Sequence, residues 1–353
     1  MNQPPAAKNT EILWDTWGVP HVFGRDDAGL FYGFGWAQMH SHGDLVLRLF
    51  GQARGRAAEY WGESELASDR LVRTMGFPAR AQAWYAAQRP TFRTLLDAFV
   101  AGMNDYAAAH PGALAEEVRL VLPVEPADLF AHVQRVLFTF LSHVGQSRAT
   151  VIGEGLPGSN AWAIGPAAAA AGHAILLSNP HLPWAGIYTF YEAQLTAPGV
   201  NAYGITLVGW PVLGRGFNDC LGWAHTVNSL KGWDAYALQP AGDGYLWDGA
   251  TRAFEVEQQT LWVRGDDGAL REEPFTVRRS VHGPVVGERD GQPIALRVVG
   301  LDQAPVAGAF EQYWAMMRAH TLDEFEAALA RQQAPMFTVI YADRTGHIMH
   351  LFN

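Results

Sequence analysis

Cysteine is almost absent from this sequence, which has 353 residues and a single cysteine, Cys220. An intrachain disulfide, a redox-active cysteine pair and a cysteine-rich zinc site are therefore excluded. Basic residues are also few, since 25 Lys and Arg stand against 35 Asp and Glu, for a formal net charge of −10. This charge opposes binding to a phosphate backbone, so we expect no nucleic-acid partner.

Long apolar runs are absent as well. No stretch of 18 apolar residues escapes interruption by a charge, glycine or proline, so we expect no membrane-spanning helix. Residues 1–10 contain two prolines and a lysine but no apolar run, so they do not resemble a secretory signal, and the compartment stays open. With 49% hydrophobic and 17% charged residues, the chain should fold around a large core, and its composition suits an α+β protein.

The spacing of apolar residues differs between the first and the second part of the chain. From about Ala28 to His143, apolar residues recur at spacings of three and four, which predicts helices, one of them beginning near Pro126. After about Gly153, short apolar runs between Gly, Pro and Asn predict successive strands. The predicted strands are 160–164, 173–177, 187–195, 203–208, 221–226, 337–341 and 348–353, with a hairpin turning at 266–268 and a capped helix starting near Thr321.

Several common catalytic motifs are missing. No serine has both glycines of G-x-S-x-G, and no H-E-x-x-H, Walker A or Rossmann glycine string is present. His40-x-His42-x-Asp44 is similar to the H-x-H-x-D-H ligand string of binuclear metallohydrolases, although Leu45 stands where the last histidine would be. The alternative is an ordinary helix on which His40 and Asp44 lie one turn apart.

The Gly158-Ser159 junction is the most informative position, because a strand is predicted to start there directly after a loop. A serine hydroxyl in a strained turn can attack the preceding carbonyl, and hydrolysis of the resulting ester breaks the chain. Cleavage would leave Ser159 with a free α-amine, whose ordinary pKa near 7.7–8.0 suits a general base. Nucleophile and base would then belong to one residue.

The surrounding motifs resemble the penicillin acylase family of N-terminal-nucleophile hydrolases, and most closely its acyl-homoserine lactone acylase branch. The resemblance covers about Glu11 to the last residue in one consistent order. Its motifs are Gly158–Trp162, Leu177–Trp184 and Gly222–Asn228, with Trp17–His21 and Gly33–Gln38 upstream and Arg279–Val286 downstream.

The resemblance implies a four-layer αββα fold and hydrolysis of a linear amide in a small N-acyl substrate. Ser159 matches the nucleophile, His181 the residue that adjoins its amine and hydroxyl, and the backbone N–H of Val227 an oxyanion donor. It also implies a division into 1–158, a mainly helical small-chain-like region that ends at the cleavage junction, and 159–353, the front of a large-chain-like β-rich region, around one shared core. Leu182, Trp184, Tyr188 and Trp210, with Pro211 and Val212, are expected to line an apolar slot for the acyl chain.

The chain also departs from the family pattern. The second oxyanion donor of the family is an asparagine well downstream of the equivalent of 341–343, and no asparagine here stands in that motif. Because family members are much longer and 348–353 ends on an apolar strand, we expect an N-terminal part of such an enzyme, truncated at its C-terminus. Some relatives bind calcium after the oxyanion strand, but Lys231 occupies that neighbourhood with Asp234 alone acidic, so neither metal nor cofactor is expected.

Two alternatives remain open at this stage. The first alternative to an active acylase is an incomplete or inactive family member, which binds acylated ligands or needs a separate C-terminal half as partner. The second is a metallohydrolase that uses His40, His42 and Asp44.

Overall fold

The structure is a computed structural model that describes residues 9–150, 158–228, 232–301, 306–335 and 337–352, and the side chains of these residues except 141–150. The N-terminal segment 1–8, residues 156 and 157 of the junction motif, Lys231 and Asn353 lie outside the described residues. The α-helices are α1 Asp27–Ala53, α2 Ala57–Trp61, α3 Leu66–Thr74, α4 Phe77–Ala86, α5 Pro90–Ala109, α6 Pro126–Thr150, α7 Ala309–Arg318 and α8 Leu322–Leu329. None of the helices in the described ranges combines the length and the apolar character that crossing a membrane requires.

The strands form four sheets. The first ten are β1 Thr10–Trp14, β2 Pro20–Gly24, β3 Gly158–Ile164, β4 Ile175–His181, β5 Phe190–Ala197, β6 Val200–Leu207, β7 Arg215–Asn218, β8 Leu221–Val227, β9 Trp233–Ala237 and β10 Pro240–Ala241. The others are β11 Gly244–Trp247, β12 Ala250–Ala253, β13 Glu255–Arg264, β14 Leu270–Ser280, β15 Gly283–Arg289, β16 Gln292–Val298, β17 Phe337–Asp343 and β18 Ile348–Phe352.

The largest sheet has eight strands in the order β1-β2-β5-β6-β7-β8-β17-β18. Strands β13-β14-β15-β16-β9 form a second sheet, β10-β11-β12 a third, and β3 and β4 a separate two-stranded hairpin. Helices and sheets occur in the same chain without regular alternation, so the chain has the α+β architecture that its composition predicted.

Most predicted elements are confirmed, with small shifts. Helices α5 and α6 cover the predicted apolar periodicity, and the Thr321 side chain caps α8 by accepting from Glu324 N at 3.2 Å. The hairpin β13–β14 turns at Gly268, whose positive φ of 81° suits a tight turn. The strand predicted over 187–195 starts only at Phe190, because Gly186–Tyr188 forms a 3₁₀ turn.

The N-terminal region is not purely helical, because it supplies two strands to the large sheet. Strand β1 pairs with β2, and β2 runs parallel to β5, with Val22 opposite Leu195. The main hydrophobic core contains residues from helices that precede Ser159 and from strands and helices that follow it. The contact between Phe31 of α1 and Trp314 of α7, with ring centroids 5.0 Å apart, is one example.

Candidate active site

The junction lies at the open end of the β3–β4 hairpin. Gly158 stands opposite His181 and Ser159 opposite Pro180 in the antiparallel register, and directly opposed Cα atoms in such pairs are about 4.5–5.5 Å apart. The register therefore brings the His181 backbone beside the junction, although Ser159 and His181 are far apart in sequence. Because side chains alternate between the two faces of a strand, those of Ser159 and His181 leave the hairpin on opposite faces.

The Ser159 hydroxyl donates a hydrogen bond of 2.7 Å to the carbonyl oxygen of Gly158. This carbonyl is the group that an N-to-O acyl shift would attack, so the nucleophile and its target are already neighbours in the uncleaved chain. Gly158 and Ser159 are half-buried, whereas His181 is exposed.

The hairpin packs on β8 and β17 of the large sheet. At its far end, a Cβ atom added to Gly222 would come within 2.9 Å of Leu176 Cδ2, and one added to Gly346 within 3.3 Å of Pro166 Cγ. Both contacts join the end of the hairpin remote from Ser159 to the end of the sheet remote from Val227. These contacts place the start of β8 at the closed end of the hairpin, which is the end opposite the junction.

Val227 ends β8 opposite Phe337 of β17. On its other side, β8 pairs with β7 through Gly222 and Trp223, and Val227 extends past the first residue of β7. The β7 ladder therefore does not extend to the backbone of Val227, which is half-buried.

Four of the residues expected to line the acyl slot lie in different surroundings. Trp210 is buried and packs on Phe310 and Tyr313, with ring centroids 5.6 and 5.9 Å away. Tyr188 is half-buried against Phe140, and burial raises the pKa of its phenol. Leu182 is half-buried, but Trp184 is 98% exposed, so the structure does not bring its ring to the others.

The loop that carries Trp210 is fixed by Gln38 of α1, a fully buried amide. Gln38 Nε2 donates to Trp210 O, and Gln38 Oε1 accepts from Gly209 N, both at 2.8 Å. Gly209 has φ 89°, and a Cβ there would lie 2.9 Å from the Phe50 ring, so only glycine fits without strain. The N-terminal region thus positions a wall of the expected slot.

Two buried polar residues near this wall were not among the expected site residues. Arg215 begins β7, and neither its Nη1 nor either ring nitrogen of His225 has a hydrogen-bond partner among the described residues. Burial, with a smaller contribution from Arg215, lowers the pKa of His225 to about 3, so this imidazole is neutral. The available sequence signal was an arginine that interrupts an apolar run, Val212–Phe217.

The His40-x-His42-x-Asp44 string does not form a metal site. His40 stacks on Trp36, with ring centroids 5.7 Å apart, and Asp44 accepts from Ala115 N at 2.9 Å. His42 has non-helical φ/ψ values of −140° and 29°, which kink α1, and its ring lies edge-on to Tyr191. Throughout the described ranges, no three His, Cys, Asp or Glu side chains converge as ligands. The metallohydrolase interpretation is therefore not supported by the geometry.

The chain is similar to several known proteins over most of its length. The family model for penicillin amidase matches residues 9–353. The chain belongs to the penicillin amidase family. It is 30% identical to the acyl-homoserine lactone acylase PvdQ of Pseudomonas fluorescens, in an alignment that covers 98% of this chain and 50% of the relative. It is 31% identical to the aculeacin-A acylase of Actinoplanes utahensis, over 55% of this chain and 25% of that one.

Among solved structures, a thermostable penicillin G acylase from Alcaligenes faecalis matches with a TM-score of 0.48 and 24% identity, over 54% of this chain and 34% of that chain. The chain spans about half the length of the acyl-homoserine lactone acylases that it matches. Both curated relatives named above are acylases.

Proposed function

We propose that the Gly158–Ser159 bond breaks autocatalytically and that Ser159 then hydrolyses a linear amide in an N-acyl substrate. The observation that supports this proposal is the hairpin register, in which Gly158 pairs with His181 next to Ser159, on a hairpin that packs against β8, the strand that Val227 ends. The names of the relatives support N-acyl homoserine lactones as the first substrates to test.

The proposed reaction uses groups of this chain in sequence. The free α-amine of Ser159 takes the hydroxyl proton, Oγ adds to the amide carbonyl, and the Val227 N–H donates to the developing oxyanion. Return of the proton to the leaving nitrogen releases the amine and leaves an ester on Ser159. Water then adds with the same base, and the free acid departs. His181, beside the junction, is proposed to hold the Ser159 backbone in position.

We further propose that a second polypeptide segment completes the site and a four-layer αββα fold. Trp162 stands opposite Leu177 and Ile164 opposite Ile175 on one face of the hairpin, and these four side chains are 40–56% exposed. Such an apolar face needs a cover. The additional length of the relatives is the proposed source of this cover and of the second oxyanion donor.

Ser159→Ala provides the first test. We expect intact mass to show an uncut chain, because the attacking hydroxyl is gone, while the native protein gives a fragment that starts at Ser159. Release of homoserine lactone from N-acyl homoserine lactones should fall to background, a loss of at least about 10³-fold by analogy with other nucleophile deletions. Ser178→Ala, an exposed serine on the same hairpin, is the matched control and should change neither readout.

Retention of cleavage and turnover by Ser159→Ala would exclude Ser159 as the nucleophile. If the native chain stays uncut and inactive but its melting temperature rises with N-acyl ligands, the alternative of an inactive member that binds acylated ligands is favoured instead.

A further inference from the structure

A small cavity lies where the ends of four helices meet, at the last turns of α1 and α3 and the first turns of α4 and α6. Its volume is about 210 Å³. Short apolar side chains form one wall, namely Pro78, Ala81, Ala127 and Ala131. Because small-molecule sites combine an apolar wall with a few polar groups, the charged residues at this cavity decide what it can bind.

Two arginines that border the cavity are already paired with carboxylates. Arg54 donates to Asp128 through Nε at 2.7 Å and Nη2 at 2.6 Å. Arg56 donates to Glu59 through the same two nitrogens, at 2.7 and 2.6 Å. Each pair is bidentate and neutral as a whole, so neither calls for a further ion.

Arg73 and Glu125 also border the cavity, and neither has an ionic partner. Arg73 Nε donates to Gly55 O at 3.0 Å, but its two terminal nitrogens have no hydrogen-bond partner in the described ranges. Burial lowers the pKa of this guanidinium, which remains charged at neutral pH. The carboxylate of the exposed Glu125 is likewise unpaired among the residues that the structure describes. The cavity thus holds one uncompensated charge of each sign.

Two other carboxylates attract Arg73 at longer range but are engaged elsewhere. Asp69 accepts from two backbone amides at the start of α2, at 2.8 and 2.7 Å. Glu257 accepts from Arg279 Nη1 at 2.8 Å. Neither carboxylate can move to Arg73 without leaving its present donor unpaired, so the terminal nitrogens of Arg73 stay open to a ligand.

We propose that this cavity binds a small zwitterion of the α-amino-acid class. The ligand carboxylate would accept from Arg73, its ammonium would donate to Glu125, and a short aliphatic side chain would lie against the apolar wall. The sum of the charges decides between ligand classes. With both arginine–carboxylate pairs neutral, Arg73 and Glu125 add to zero, so a zwitterion leaves the site balanced. Phosphate or another dianion would place uncompensated negative charge beside Glu125.

This cavity is separate from the candidate active site, although α6 contributes to both. The cavity adjoins the first turns of the helix, near Asp128. Phe140 lies about three turns further along, a rise of about 18 Å, and its ring contacts those of Tyr188 and Phe337. Phe337 stands opposite Val227. The inference therefore does not rest on the proposed amide hydrolysis.

The first experiment compares three ligands that share a branched alkyl group and differ in charge. L-Valine carries both charges, 3-methylbutanoate only the carboxylate, and 2-methylpropylamine only the ammonium. We expect calorimetry at pH 7 to give at least about tenfold tighter binding of L-valine to the native chain than of either other compound. Equal affinities for L-valine and 3-methylbutanoate would mean a plain anion site and would refute the proposal, as would failure of L-valine to bind.

The second experiment assigns the two charges. Arg73→Met should remove the preference for L-valine over 2-methylpropylamine, whereas Glu125→Gln should remove the preference over 3-methylbutanoate. Arg252→Met and Glu116→Gln, which change an exposed arginine and an exposed glutamate elsewhere, are the matched controls and should keep both preferences. Glu125→Gln conserves the shape of an exposed side chain, so it remains informative if Arg73→Met does not fold. Unchanged preferences in Glu125→Gln would contradict the assignment.

The third experiment separates this cavity from the proposed function. A ligand held by Arg73 and Glu125 does not touch Ser159, so Ser159→Ala should bind L-valine with native affinity. Loss of binding in Ser159→Ala would place L-valine at the candidate active site, and the proposal would be wrong. If L-valine binds but the native chain neither cuts itself nor hydrolyses amides, the proposed function fails and the site at Arg73 stands.

Discussion

His132 occupies the centre of the core, where its imidazole is fully buried beside the Phe50 ring and Nε2 lies 3.0 Å from Val208 O. Burial, aided by the charge of Arg135, lowers its pKa to about 3 from an ordinary value near 6.5. The neutral form is therefore strongly favoured in the folded protein. In the unfolded chain the same group takes up a proton near pH 6.5, so acidification stabilises the unfolded state.

We expect the stability that His132 contributes to be fully present above about pH 6.5 and to be lost as the pH falls toward 3. The native free energy of unfolding should decrease relative to that of His132→Gln by about 2 kcal/mol between pH 7.5 and pH 5, with a slope that approaches about 1.4 kcal/mol per pH unit only below pH 6.5. Urea titrations at several pH values measure this difference.

Burial raises the pKa of Asp69 to about 6, which changes the stability with pH in the opposite direction. The difference between native protein and His132→Gln is therefore the informative quantity, because Asp69 is present in both. Replacement of the exposed His350 by Gln is the control, and an equal pH dependence in native protein and His132→Gln would contradict the assignment.

At the scale of elements, Arg54 joins the end of α1 to the start of α6. Its guanidinium donates to Asp128 through Nε at 2.7 Å and Nη2 at 2.6 Å, and also to Val121 O and Pro123 O. The side chains of Arg54 and Asp128 are only 15% and 5% exposed. Loss of one partner would leave the other charge buried and unpaired, which is far more costly than losing an exposed ion pair.

Arg54→Met should therefore lower the free energy of unfolding by about 3–5 kcal/mol. Arg271→Met removes an exposed arginine from its pairs with Glu63 and Glu273 and should cost far less, because solvent screens such pairs. Urea denaturation of the two variants gives the comparison, and Arg54→Met combined with Asp128→Leu should recover part of the loss. Similar costs for Arg54→Met and Arg271→Met would show that burial does not strengthen this pair.

Elements with a strong local signal could be predicted from the sequence, and long-range pairings could not. Helix α5 has apolar periodicity, and α8 has its Thr321 cap, both of which depend on neighbouring residues. Strand β2 is short, and its place in the sheet depends on parallel pairing with β5, more than 160 residues later. The proposal for Ser159 came from its junction motif, which is also local. Arg215 was missed because its significance lies in an unmet hydrogen bond and charge, which only packing reveals.

At the scale of the whole molecule, the residues before and after the junction form one folding unit. Tyr191 Oη donates to Ala37 O at 2.9 Å, Gln38 holds the backbone of Gly209 and Trp210, and Arg318 pairs with Asp27 at 2.8 Å. The main core contains residues from both sides of Ser159. A break in the chain at the junction removes none of these contacts.

We therefore expect a chain cut at the junction to stay assembled and to unfold in one cooperative step. A protease site in place of residues 151–157 allows cleavage without Ser159, so the test also applies to Ser159→Ala. Both fragments should co-elute in size-exclusion chromatography, separate only in denaturant, and give one calorimetric transition. The melting temperature should become concentration-dependent, because unfolding now releases two chains. Elution of the fragments as separate folded species would contradict the shared core and would make the junction a boundary between independent domains.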